Sequence, residues 1–379
     1  MIIAVPKEIA PGERRVALDP VSAKALVSKG IEVRIEAGAG VESGHEDSAY
    51  EDAGASVVGI VDVRAADLIL KVAPPTDAEI DSLREGTSLI SFLRPLDEPQ
   101  TSAHLAERKV SAFSMEFMPR ITRAQSMDAL SSQSTIAGYR AVLLAASALP
   151  RIFPMLVTAA GTLQPAKVFV IGAGVAGLQA LGTAKRLGAV TSAYDTRDVV
   201  REQVQSMGAK FVELDLDTGD SEDAGGYARA QTEEFYQKQR AELARHIATS
   251  DVVISTALVP GMRAPLLVTE EAVKGMKPGS VVVDLAAANG GNCELAEADR
   301  SVVKHGVTII GNTNLPAEVP GHASQMYAKN LVTFLDHLLD EGELVIDLED
   351  EITSATLVAH EGVVRNEAVK SRLSAGGAD

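Results

Sequence analysis

The sequence has a single cysteine, Cys293, which excludes an internal disulfide, fits a reducing compartment and reads as an inert buried thiol. It has no surplus of positive charge. The formal net charge of −17 at pH 7 argues against nucleic acid or anionic lipid as direct partners. Nor is a signal peptide expected, because the first eight residues read as a strand running into charge. An uninterrupted membrane-spanning run is missing as well. The nearest approach, residues 141–163, carries Pro150, Arg151 and Pro154 in its middle and reads as a buried helix and connector. What is present is an ordinary globular composition, 46% hydrophobic and 23% charged, over 379 residues, enough for two domains.

The chain is organised around residues 167–180. Val168 to Ile171 is a β-branched apolar run of the kind buried on both faces of a parallel sheet. Gly172, Gly174 and Gly177 follow in G-x-G-x-x-G spacing, and residues 178–187 read as a helix. In that pattern the first glycine permits a tight turn, the second lets backbone approach a pyrophosphate, and the third lets helix pack on sheet. The helix N-terminus adds unpaired N–H groups and a favourable field for phosphate. Residues 190–194 form a plausible second strand, and Asp195 ends it, 18 residues beyond Gly177. That is close to the spacing of the acid that binds an adenosine ribose, so NAD(H) is favoured over NADP(H). Arg197 leaves the alternative open, since an arginine here can serve a 2′-phosphate.

Before this motif, residues 1–130 alternate strand-like runs (2–5, 31–35, 57–60, 68–72, 88–92, 110–113) with helical stretches such as 20–29 and 77–83, the pattern of a doubly wound parallel sheet. No fingerprint glycines follow its first strand. Lys7, Arg15, Lys71 and Arg94 lie at its strand ends, where a solvated surface charge is the default reading. After it, strands are expected at 168–171, 190–194, 210–212, 251–255, 280–284 and 307–310, in the order 3-2-1-4-5-6. Their carboxyl ends carry small or amide-bearing residues, including Ala257, Leu258 and residues 286–292, suited to close approach by an uncharged ring and its carboxamide. The acidic, glycine-bearing stretch 215–227 reads as a loop: a plain excursion, or a lid hinged at Gly225-Gly226 with Tyr227 at its tip. Residues 324–339 read as an amphipathic helix that returns the chain to the first half. The expected fold is therefore α/β with two Rossmann-like doubly wound parallel-sheet domains, 1–131 plus 325–379 and 132–324, the first discontinuous.

Residues 119–133 concentrate Arg, Gln, Asp and Ser at the junction of the two halves. This stretch reads equally as a ligand-binding segment or as a polar linker in which Ser131 or Ser132 caps the next helix, 136–149.

Taken together, residues 119–134, the Gly172 fingerprint, Gly225-Gly226-Tyr227 and the run 283–294 resemble the NAD(H)-binding component, the soluble alpha subunit or domain I, of proton-translocating nicotinamide nucleotide transhydrogenase. The resemblance covers essentially the whole chain. It implies that Arg120, Gln125, Asp128 and Ser131, with Ile121 and Thr122 beside them, border the nicotinamide and contact NADP(H) held on a partner subunit. It puts Val175, Ala176 and Gly177 under the pyrophosphate, and Asp195, Thr196 and Arg197 around the adenosine ribose. Tyr227, with Gly226 beside it, matches the tyrosine of a mobile loop that closes on NAD(H), while Gln239, Ala257 and Leu258 fall at further nucleotide contacts. The implied assembly is a homodimer docking with an NADP(H)-binding beta subunit and membrane-spanning subunits at the cytoplasmic face of the cell membrane; no span of its own and no metal are expected.

Alanine dehydrogenase shares the fold and is the competing reading. Arg15 and Lys71 match positions that hold a keto-acid carboxylate in that enzyme, but Arg94 and Ala288 stand where it uses a histidine and an aspartate. Imine reduction needs a proton donor as well as a hydride. Transfer between two nicotinamides needs none at the reacting carbons, so positioning groups such as Arg, Gln, Asp and Ser suffice.

Overall fold

The computed structural model describes residues 1–214, 232–259 and 261–376. The chain divides into two compact units, Met1–Gln133 with Ala317–Asp379, and Ser134–Pro316.

In the first unit, eight strands form one sheet in the order Val363–Val364, Leu357–His360, Ser111–Ser114, Ser88–Ser91, Leu68–Leu70, Ile2–Val5, Glu32–Glu36, Ser56–Val58. The six strands from the N-terminal stretch pair in parallel; Leu357–His360 adds antiparallel to Ser111–Ser114, and Val363–Val364 adds antiparallel to Leu357–His360. Parallel strands need helices on their faces to bury both sides, and Leu68, Ile69 and Leu70 are accordingly all buried. One expected strand is shortened. Gly59 turns the chain after Val58, and Ile60 opens a helix, Ile60–Arg64, instead of closing the strand. The Pro320–Leu338 helix packs Tyr327, Ala328, Leu331, Phe334 and Leu335 into the core of this unit. Its proline occupies the first helical turn, where a missing N–H costs nothing.

The second unit is a seven-stranded sheet in the order Lys210–Phe211, Val190–Tyr194, Lys167–Ile171, Val252–Ser255, Val281–Asp284, Val307–Ile310, Ser301–Lys304. The first six run parallel in the expected 3-2-1-4-5-6 order. Ser301–Lys304 is an additional antiparallel edge strand. It was not legible in the sequence because its four residues are largely exposed and lack an apolar face. Residues 141–163 form the end of a helix, Ala129–Ala148, followed by an antiparallel hairpin, Leu156–Thr158 with Gly161–Leu163. No helix among the described residues is long and apolar enough to cross a membrane.

The Ala129–Ala148 helix starts seven residues earlier than the apolar pattern suggests, because Asp128 caps it. Its carboxylate accepts the Ser131 N–H at 2.9 Å, which satisfies one of the unpaired donors of a first helical turn. Ser131 and Ser132 therefore lie inside the helix, and neither is its cap.

Candidate functional site

The register of the second sheet brings four strand ends level. Tyr194 pairs with Ile171, Ile171 with Ser255, and Ser255 with Asp284. The next residues, Gly172, Asp195 and Thr256, therefore emerge side by side at the carboxyl edge, where ligands of such sheets bind. Gly172 turns at φ +93°, a conformation that a side chain resists, and a Cβ there would lie 2.7 Å from Thr256 Oγ1. Thr256 Oγ1 in turn donates to the Gly172 carbonyl at 2.9 Å and fixes the turn.

Gly177 permits the helix Val175–Arg186 to touch that turn. A Cβ on it would sit 1.9 Å from the Gly172 carbonyl oxygen. Gly174 differs: among the described residues a Cβ there would meet only Arg197 Nη2, at 3.9 Å, so they leave the space over it open for a ligand. Gly174 is also the N-cap of that helix, and no side chain caps its N-terminus. Val175, Ala176 and Gly177 thus form an uncapped first turn facing an open space, the arrangement that accepts a pyrophosphate. A feature not legible in the sequence supports this turn. Gly138, on the Ala129–Ala148 helix, comes so close that a Cβ on it would lie 2.1 Å from the Ala176 carbonyl oxygen. Only a glycine lets the two helices meet there.

Asp195 is 8% exposed and fully engaged within the chain. It accepts the Ala173 N–H at 2.7 Å and the Arg197 N–H at 2.9 Å, and it holds the Arg197 guanidinium through Nε and Nη2, both at 2.9 Å. Thr196, half-buried, lies between them. The acid is therefore tied to the glycine-rich turn, and its negative charge is balanced by Arg197. Tyr194, the last residue of the same strand, is buried, which pushes its phenol up to about 12. Its Oη accepts from Gln239 Nε2 at 3.0 Å, while Gln239 Oε1 has no hydrogen-bond partner among the described residues. Ala257 is half-buried and Leu258 is exposed after the fourth strand. Gly226 and Tyr227 lie outside the described residues.

One expectation is corrected at this edge. Asn292, among the amide-bearing residues read as suited to a nicotinamide carboxamide, is completely buried. It accepts the Ala257 N–H at 3.1 Å and donates to the carbonyls of Ala257 and Pro265 at 2.9 and 2.8 Å. Asn292 is spent on shaping the strand-end loop that carries Ala257 and Leu258. Cys293 beside it is a buried free thiol whose pKa burial pushes up to about 12.

In the first unit, residues 122–127 form a 3₁₀ turn. Side chains three apart eclipse in such a turn, and here Ala124 and Met127 are the buried pair. With those two as anchors, Thr122 and Gln125 are exposed, as is Arg120 before the turn; Ile121 is half-buried against the core. Asp128 and Ser131 are brought together, with Ser131 Oγ donating to Asp128 Oδ2 at 2.6 Å.

Two cations of this unit are not the solvated charges that the sequence suggests. Arg15, 8% exposed, is gripped by Glu13 through Nη2 at 2.6 Å and Nε at 2.8 Å, and its Nη1 donates to Gln133 at 2.9 Å. Lys71, 3% exposed, is held between Glu79 at 2.8 Å and Glu8 at 3.1 Å. Burial works against the Lys71 charge and raises the Glu8 carboxyl, yet Glu8 and Glu79 together outweigh it and raise the lysine's pKa. Buried charges demand such partners. The sequence signal was present in the acidic neighbours at 8, 13 and 79, but only the fold shows which of them close on which cation. Lys7 and Arg94 are exposed, as expected.

Residues 4–137 and 141–367 match the N-terminal and C-terminal domains of the alanine dehydrogenase/PNT family. The chain is 48% identical over 374 residues to the first portion of the NAD(P) transhydrogenase alpha subunit of Rhodospirillum rubrum, covering 96% of this chain and 97% of that one. It is 31% identical over 383 residues to alanine dehydrogenase of Bacillus subtilis, covering 98% and 95%. Among solved structures, the transhydrogenase from Sinorhizobium meliloti superposes with a TM-score of 0.86 at 45% identity, over 97% of this chain and 100% of that chain. The chain belongs to the alanine dehydrogenase/PNT family and stands within it among the NAD(P) transhydrogenase alpha subunits.

Proposed function

We propose that this chain is the NAD(H)-binding subunit of a proton-translocating transhydrogenase, passing hydride directly between NADH and NADP⁺ held on a partner subunit. The observation that carries this reading is the pairing of an open, uncapped glycine-rich turn with a buried Asp195 one strand away. The bound nicotinamide supplies the hydride chemistry, and the chain's own residues bind, orient and exclude water. In this reading Gly172, Gly174, Val175, Ala176 and Gly177 take the pyrophosphate, and Asp195, Thr196 and Arg197 take the adenosine ribose. Arg120, Ile121, Thr122, Gln125, Asp128 and Ser131 orient the reacting ring; Gly226, Tyr227, Gln239, Ala257 and Leu258 contribute further contacts.

The alanine dehydrogenase alternative is disfavoured by the two buried cations. A keto-acid carboxylate at Arg15 and Lys71 would have to compete for cations already paired with Glu13, and with Glu8 and Glu79. Purified chain with NADH, pyruvate and ammonia should show no sustained loss of absorbance at the NADH band. Sustained oxidation would establish the alanine dehydrogenase reading instead.

The partners follow from the same reading: a homodimer at the cytoplasmic face of the membrane, engaged with an NADP(H)-binding beta subunit and membrane-spanning subunits that move the proton. Support for a second copy comes from the hairpin of residues 156–163. All three residues of each strand are exposed, with Val157 at 68% and Leu163 at 54%. A lone two-stranded hairpin is marginal in water, and clustered exposed apolar side chains mark an interface. Leu156→Asp with Val157→Asp should convert a dimer to monomers in light scattering.

A further inference from the structure

Asn330 lies on the inward side of the Pro320–Leu338 helix and is 8% exposed. Its buried neighbours on that helix, Tyr327, Ala328, Leu331 and Phe334, are core residues. A leucine would fill such a position better, because a buried amide is costly unless both its ends are paired. Both ends of Asn330 are paired, and to one segment. Nδ2 donates to the Ser126 carbonyl at 2.8 Å, and Oδ1 accepts from Ser132 Oγ at 2.7 Å.

Ser126 follows Gln125 directly, and Ser132 lies in the first turn of the helix that Asp128 caps. One carboxamide therefore spans the 3₁₀ turn and the helix start, with the Asp128–Ser131 pair between its two contacts. Within the core the turn is anchored by two buried residues, Ala124 and Met127, and 3₁₀ hydrogen bonds are of poor geometry. A second fastening reaches the same turn from its exposed side, where Arg123 Nη2 lies 3.3 Å from Asp350 Oδ2.

We propose that Asn330 is a positioning residue for hydride transfer: it sets the height of the Ser126–Met127 peptide above the helix start, and so the placement of Gln125 one residue before it. This rests on the functional reading above. Near-attack geometry tolerates little error, and a shift of about 1 Å can cost about a hundredfold in rate. Asn330 should therefore matter to the transfer step and leave NADH affinity, built on the other unit's glycine-rich turn, alone.

The test is Asn330→Asp, which keeps size and the acceptor for Ser132 but turns an oxygen against the Ser126 carbonyl. Two readouts are taken: hydride transfer from NADH to NADP⁺ on the partner component, and amide hydrogen exchange of residues 120–128. Transfer should fall about tenfold or more, with the NADH Kd within about twofold and faster exchange in residues 120–128. Ser132→Ala, which removes one of the two bonds, should move both readouts the same way by less, and it serves if Asn330→Asp folds poorly. Unchanged transfer with unchanged exchange overturns the proposal, as does a loss of transfer matched by an equal loss of NADH affinity. Wild-type protein that transfers no hydride would defeat the functional reading itself; amide exchange then decides the anchoring role alone.

Discussion

Arg197 closes on Asp195 in a two-pronged ion pair, Nη2 to Oδ2 and Nε to Oδ1 each at 2.9 Å, while the same carboxylate holds the Ala173 N–H at 2.7 Å. One carboxylate thus links the glycine-rich turn to the end of the neighbouring strand. Asp195→Ala should raise the NADH Kd about 10- to 100-fold, since charge-assisted hydrogen bonds are worth about 1.5–3 kcal/mol. The same change releases Arg197, whose guanidinium then suits a 2′-phosphate, so the preference for NADH over NADPH should shrink. Arg197→Ala leaves the Ala173 bond in place and should cost less. Fluorescence titration of both nucleotides on both variants checks the order; an equal loss from the two substitutions would refute it.

The glycines of the fingerprint should separate by phenotype. Gly177→Ala drives a methyl into the Gly172 carbonyl and should cost about 1–3 kcal/mol of stability together with NADH binding. Among the described residues, Gly174→Ala meets no atom closer than 3.9 Å. Its melting temperature should therefore stay near wild type while NADH binding falls, because the methyl takes the space that backbone yields to the pyrophosphate. A destabilised Gly174→Ala would contradict that assignment.

Gln125 is exposed on the turn whose anchors are Ala124 and Met127. Gln125→Asn keeps the amide and shortens its reach by one methylene. Stopped-flow transfer should slow while the NADH Kd stays nearly constant. The reverse pattern, weak binding with normal turnover, would remove Gln125 from the reacting site.

Cys293 is buried, and its thiol is pushed up to about 12 by that burial. Only the thiolate reacts with disulfide reagents or alkylators. At pH 8 the folded protein should therefore label orders of magnitude more slowly than the denatured chain, and Cys293→Ser should retain hydride transfer. Rapid native labelling would show that the residue is exposed.

The parallel sheets were legible because strands buried on both faces read as β-branched runs, as at 168–171 and 281–284, and because the glycines at 172 and 177 have no structural substitute. Elements decided by tertiary contact were not. Ser301–Lys304 is a strand only because Val307–Ile310 lies beside it. Asn292 looks like a ligand by composition and is a buried strut. Gly138 carries no local signal, since its glycine answers to Ala176, far along the chain. Arg15 and Lys71 read as surface charges until the fold closes Glu13, Glu8 and Glu79 around them.

The central claim is that hydride passes directly from NADH on this chain to NADP⁺ on another protein. The most direct measurement uses NADH deuterated at the transferring C4 position, this chain, an NADP⁺-loaded partner component and ordinary water. The account predicts NADPH carrying the deuterium at C4, with none released to solvent and no product when either protein is left out. NADPH without deuterium, or NADH oxidised only when a small keto acid and ammonia are added, would contradict it.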